Sequence, residues 1–187
     1  MIDVVYDACV LYSASLRDLV LDIADTKLVC PHWSEVIHGE WINSLLRNRP
    51  DLNRESLERT RQRMDRRFRN SLTKGYESLI TTLELPDSND RHVLAVAIYT
   101  RSSLIVTANL DDFPKTVLQP YGIEAVSPDD FIWQLIQQSS QLVLEAVKKH
   151  RVDLTRPPKT VNEYLATLEK QGLHKTMAFL RERRDEF

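Results

Sequence analysis

The sequence predicts an α/β protein, and three observations carry that expectation. Ile2 to Tyr6 is a short apolar run that stops at Asp7 and passes at once into helical spacing. A second apolar run, Ser103 to Thr107, directly follows a helical stretch of about Asn89 to Arg101. A third, Gly122 to Val126, runs into Ser127-Pro128-Asp129-Asp130, which has the cap, proline and acid of a helix start. Short strands alternating with helices are the pattern of a sheet with helical connections.

In chain order, Leu16, Leu19, Val20 and Ile23 place one helix over about Val10 to Ala24. Lys27 to Cys30 reads as a second strand that Pro31 stops, and Ser34 as the cap of the helix WSEVIHGEWINSLLRNR. At 100° per residue Val36, Ile37, Glu40 and Ser44 share that helix's apolar face, with Glu35 opposite. Asp51 to Leu72 is polar, with Leu52, Leu57, Met64, Phe68 and Leu72 as a thin apolar stripe, and a turn is expected at Lys74-Gly75. Asp87 or Ser88 caps the next helix, on which Asp90 falls on the side of Val93, Leu94, Ala97 and Ile98. The helix opened at Ser127 runs toward His150 with a break expected near Ser139-Ser140. Arg156-Pro157-Pro158 is the linker, Thr160-Val161-Asn162-Glu163 a capping box, and Gly172 the end of a short helix before a last one.

Composition bounds the reading. With 187 residues, 42% hydrophobic and 28% charged, the chain is expected to fold as one domain with appendages, or as one domain and a small subdomain. It has no run of about 20 apolar residues that could span a bilayer, and MIDVVYDACVLY lacks a basic leader, so a cytoplasmic protein with no membrane association is expected. Cys9 and Cys30 read as buried free thiols, and five scattered histidines argue against zinc. The net charge of −2 is unevenly placed: residues 47–74 carry ten Lys and Arg against four acids, leaving −8 elsewhere. Such a basic segment is by default a solvated helix face, and alternatively a neutraliser of phosphates.

The acids carry the chemistry. Asp7, Glu40, Asp90, Asp111 and Asp112 are all expected at one edge of the sheet, where open α/β folds bind ligands. Crowded carboxylates on apolar faces raise one another's pKa, and a divalent cation relieves the repulsion. Oxygen-only donors point to Mg²⁺ or Mn²⁺, and hence to phosphodiester hydrolysis. Taken singly, Asp90 or Asp7 could be a cap, Glu40 an ion-pair partner, and Asp111 and Asp112 an ordinary loop. An aspartyl-phosphate phosphatase would need an acid where Cys9 stands, and four glycines leave little room for a phosphate-binding loop.

These same segments resemble a family. VVYDACVLY, WSEVIHGEW, PDSNDRHVLAVAI and VTANLDDFP are similar, in order and spacing, to the four acid-bearing motifs of PIN-domain nucleases, over roughly residues 1–136. Within that family the chain resembles the VapC-type toxins, and the tail TVNEYLATLEKQGLHKTMAFLR is similar to a C-terminal helical extension found in one subgroup. The resemblance implies a three-layer α/β/α fold around a parallel sheet, with a PIN-like nuclease domain over 1–138 and the helical extension over 139–187. It implies a Mg²⁺- or Mn²⁺-dependent endoribonuclease in which a water activated by the metal cuts RNA, with a cognate antitoxin and a homodimer as partners. Asp7, Glu40 and Asp90 match the first three acids. Asn109 stands where many members have Asp, so Asp112 takes the fourth place, with Asn109 and Asp111 as auxiliaries. Asp7, Asp90 and Asp112 are the implied metal ligands. A catalytically weak PIN-fold module that binds RNA or protein is the alternative, and a DNA nuclease or phosphatase a third.

Overall fold

The computed structural model describes residues 1–155 and 157–187; Arg156, the first residue of the expected linker, lies outside the described residues. In chain order, β1 (Ile2–Tyr6) leads through α1 (Ala8–Tyr12) and α2 (Ala14–Asp25) to β2 (Val29–His32). Next come α3 (Glu35–Asn48), α4 (Arg54–Arg67), the short α5 (Glu77–Ile80), a 3-10 turn at Ser88–Asp90 and α6 (Arg91–Thr100). Then follow β3 (Leu104–Val106), a 3-10 turn at Leu110–Asp112, α7 (Lys115–Leu118) and β4 (Glu124–Val126). The chain closes with α8 (Pro128–Asp153), α9 (Val161–Glu169) and α10 (His174–Glu182). This is the expected α/β class, with a central sheet and C-terminal helices.

The chain divides into two compact units. One, Ile2–Tyr12 with Cys30–Val126, holds the sheet; the other is Met1, Ser13–Val29 and Ser127–Phe187. In the first, the strand order is β2-β1-β3-β4. β1 and β3 are parallel, with Val4 opposite Leu104 and Tyr6 opposite Val106, and β3 and β4 are parallel with Val106 opposite Val126. The register is continued one residue further: Asp7 N–H donates to the Val106 carbonyl at 3.1 Å and Thr107 N–H to that of Val126 at 3.0 Å. Asp7 and Thr107 therefore stand side by side at the C-terminal ends of neighbouring strands. α6 packs on β1 and β3, and its Val93, Leu94, Ala95, Val96 and Ala97 are all fully buried, a stretch too apolar to leave in water.

In the second unit α2 and α10 both pack on α8. The Ser127 hydroxyl caps α8 by accepting from Asp130 N–H at 3.0 Å, and the Thr160–Glu163 capping box opens α9 as expected. α10 has no capping side chain of its own. Its first-turn amides, Lys175 N–H and Thr176 N–H, instead donate to the two carboxylate oxygens of Asp129, so the start of α8 caps α10. The expected break in α8 is at Ser139, whose φ of −159° is extended backbone. Gly172 follows α9 with φ +75°, a left-handed position that glycine occupies without strain. Among the described residues no helix is long and apolar enough to cross a membrane.

Four local expectations are corrected. The single helix over 10–24 is two, separated at Ser13. Pro31 does not stop β2 but lies inside it; β2 is the sheet's edge strand, where a residue without an N–H costs no ladder bond. Val36 is 45% exposed, because the buried face of α3 is Ile37, His38, Trp41, Ile42 and Leu45, with Glu40 at its margin. Cys9 and Cys30 are in no disulfide but are only half-buried.

Candidate functional site

Asp7 is the innermost of the expected acids, 5% exposed. Its carboxylate accepts from three donors: Ala8 N–H on Oδ1 at 2.6 Å, and Cys9 Sγ–H at 3.2 Å and the Thr107 hydroxyl at 2.7 Å on Oδ2. These bonds lock one rotamer: Oδ2 accepts two of them, and Oδ1 keeps a further lone pair. The donors are themselves held in place: Thr107 Oγ1 accepts from Asn109 N–H at 3.0 Å, and Cys9 Sγ accepts from Ala108 N–H at 3.2 Å. Burial, and then the Asp7 charge, push the Cys9 thiol up to about 12, so it stays protonated and donates.

Asp90 sits where the 3-10 turn meets α6, and its side chain makes no cap bond. The capping role belongs to Asp87, whose Oδ1 accepts from Asn89 N–H at 2.8 Å. Asp90 is thereby left free, half-buried, and its pKa is pushed up to about 6 by burial and then by the charges of Asp7, Asp112, Asp87 and Glu40. Those four groups bear on it from β1, the β3 loop, the preceding turn and α3. Among the described residues none of Asp7, Asp90 and Asp112 forms an ion pair, so the cluster's negative charge is uncompensated.

Glu40 is 38% exposed at its side chain and accepts from His92 Nε2 at 2.8 Å; the imidazole itself is nearly buried, on α6. Asp112 is half-buried within its 3-10 turn, while Asp111 and Asn109 are exposed. Asn109 enters this network through its backbone alone.

The structure thus draws Asp7, Glu40, Asp90 and Asp112 onto one electrostatic neighbourhood at the C-terminal ends of β1 and β3, and leaves Asp111 outside it. In the sequence Cys9 reads only as a buried thiol and Asp87 only as a helix cap, and Thr107 and His92 were not singled out as site residues. Thr107 could have been, since the last residue of a strand paired with β1 must fall beside Asp7; His92 needed the packing of α6 toward α3.

An oxygen-rich cluster with spare lone pairs and no internal cation is a donor set for a hard divalent ion. The basic segment is less free than its composition suggested. On α4, Arg59 pairs with Glu55, Arg61 with Glu35, Glu58 and Asp65, and Arg54 approaches Glu58. Arg63, Arg66 and Arg69 have no carboxylate partner among the described residues.

A sheet ending in clustered carboxylates, with these motifs in this order, defines a protein class that the comparisons also find: residues 3–111 match the PIN domain model, and the chain belongs to that family. The match stops one residue short of Asp112. Residues 128–182 match the model described as the VapC50 C-terminal domain, in keeping with a VapC-type PIN protein that carries a C-terminal extension. Over 100 residues the chain is 37% identical to "Putative ribonuclease VapC50" of Mycobacterium tuberculosis, a match that takes in 52% of this chain and 57% of that relative. The chain thus spans little more than half of the relative's length. No solved structure matches.

Proposed function

We propose that the chain is a metal-dependent endoribonuclease, the toxin of a toxin–antitoxin pair, acting in the cytoplasm on RNA. The observation that carries this reading is the half-buried Asp90 carboxyl, which burial and then four neighbouring acids push upward, with no cation among the described residues paired to it. The relative's printed name, a ribonuclease, supports the same activity. The nuclease is assigned to residues 1–138 and the helical extension to 139–187, a division that falls at the break in α8. A cognate antitoxin and a second copy of the chain are the proposed partners.

The donor set fits Mg²⁺ or Mn²⁺, with Asp7, Asp90 and Asp112 as ligands and Asn109 and Asp111 as outlying auxiliaries. When bound, the ion supplies Lewis-acid polarisation of a phosphodiester and makes a nearby water more acidic. The chain's own residues do the positioning. Ala8 N–H, Cys9 and Thr107 hold Asp7 in one rotamer; His92 fixes Glu40, which is placed to orient water or accept its proton. Arg63, Arg66 and Arg69 are free to neutralise RNA phosphates, giving affinity without sequence preference.

The test is cleavage of total cellular RNA by the purified chain with Mg²⁺ or Mn²⁺, beside EDTA and an Asp7→Asn, Asp90→Asn double variant. Cutting by the wild type only, and only with metal, is expected. A wild type that cuts nothing and gives no metal heat in calorimetry would make the acids structural and the chain a binding module.

A further inference from the structure

Strand alternation sends Cys30 and His32, on either side of Pro31, to the same face of β2. Asp3, on β1, meets them there. A sulfur of Cys30, a ring nitrogen of His32 and a carboxylate oxygen of Asp3 all lie within 4.8 Å of one another. His32 is 8% exposed; its Nε2 is 2.8 Å from Asp3 Oδ1, while its Nδ1 is buried with no hydrogen-bond partner. If Nε2 carries the proton and donates to Asp3, Nδ1 is a lone pair that no donor meets. If Nδ1 carries it, that N–H meets no acceptor and a bare Nε2 faces a carboxylate. In either tautomer the buried Nδ1 is left without a hydrogen-bond partner among the described residues.

We propose that Asp3, Cys30 and His32 form a binding site for a transition-metal ion of the zinc class, distinct from the carboxylate cluster. Mixed thiolate, imidazole and carboxylate donors select a borderline-soft ion such as Zn²⁺ and not Mg²⁺. Zinc bonds of about 2.0–2.3 Å place tetrahedral ligand atoms roughly 3.3–3.7 Å apart, within reach of these three by small side-chain adjustments. Cys30 gives up its thiol proton to solvent as the ion binds, and the fourth position is left to water. The side chain of Asp3 is 46% exposed, which provides a way in. Asp3 precedes Asp7 by four strand residues, about 13 Å along β1, so the two sites are separate. An ion here ties the edge strand β2 to its neighbour.

The experiment is titration of the purified full chain with Co²⁺, read by thiolate-to-cobalt absorption in the near ultraviolet and displaced by Zn²⁺. One Co²⁺ per chain with that band is expected in the wild type, in Cys9→Ser and in the Asp7→Asn, Asp90→Asn double variant. Cys30→Ser loses the band, and His32→Ala weakens binding by about tenfold or more. A saturated wild type without the band, or a Cys30→Ser variant that keeps it, overturns the proposal. Should Cys30→Ser not fold, by circular dichroism, the wild type decides: Zn²⁺ protection of Cys30 from iodoacetamide, mapped by mass spectrometry, supports the site, and unchanged alkylation overturns it.

Discussion

Two polar clusters in the sheet-bearing unit are built from similar residues and treat charge in opposite ways. Between α3 and α4, Trp41 Nε1–H donates to His38 Nδ1 at 3.0 Å, which leaves His38 Nε2–H to donate to Asp65 Oδ1 at 3.1 Å. Trp33 Nε1–H reaches the same oxygen at 2.9 Å, and Arg61 adds positive charge at 3.7 Å. The two indoles, His38 and Asp65 are matched donor to acceptor, although the buried Arg61 Nε makes no hydrogen bond among the described residues, and burial holds His38 below the ordinary histidine range, hence neutral. Trp33 stacks edge-on against Phe68 in the same cluster, 6.1 Å between centroids. At the ends of β1 and β3, by contrast, acids face acids with no cation paired to them among the described residues, and burial and then those charges raise Asp90 to about 6. A matched network holds helices together; an unmatched one is a standing preference for something not supplied by the chain.

The largest effect expected from breaking this contrast is on the unmatched side. Asp7→Asn or Asp90→Asn should lower metal-dependent RNA cleavage roughly 10²- to 10³-fold with unchanged far-ultraviolet circular dichroism. Cleavage within threefold of wild type would remove the acids from the chemistry. On the matched side, Asp65→Ala strands the buried Trp33 and His38 donors and should cost about 3 kcal/mol of stability by urea denaturation. Asp65→Asn keeps an acceptor and should cost only about 1 kcal/mol; equal losses would mean that charge, not hydrogen bonding, holds α3 to α4.

Smaller is the loss expected from His92→Ala, which unpins Glu40: about tenfold in kcat at unchanged RNA affinity, since a group acting through another disturbs only its orientation. A change in affinity alone would place His92 in RNA binding instead.

The smallest effect distinguishes the clusters by pH. In metal-free protein the folded chain holds a proton on Asp90 between about pH 4 and 6 that the unfolded chain releases, so stability falls as pH rises through that window and is flat above it. Asp90 is only partly buried, and solvent screening limits the fall to about 1 kcal/mol. Asp90→Asn should abolish it, and saturating Mg²⁺ should reverse it above pH 6. A melting temperature that climbs with pH across this window in the metal-free wild type contradicts the sign.

What the sequence by itself determined was local and periodic. Strand ends at Asp7 and before Asn109, the Ser34, Ser127 and Thr160 caps and the break at Ser139 were all legible, because alternation, helical spacing and capping depend on residues a few positions apart. Three things needed the tertiary structure. Pro31 is tolerated in β2 only because that strand is at the edge. Asp90 is left without a capping bond and Asp87 takes the Asn89 amide, where the sequence leaves Asp87, Ser88 and Asp90 all as candidates. And the partners that matter most, Thr107 for Asp7, His92 for Glu40, Asp65 for His38 and Trp33, Asp3 for His32, lie between 27 and 100 residues apart. Pairings at that range follow from how strands register and helices pack, and no spacing along the chain encodes them.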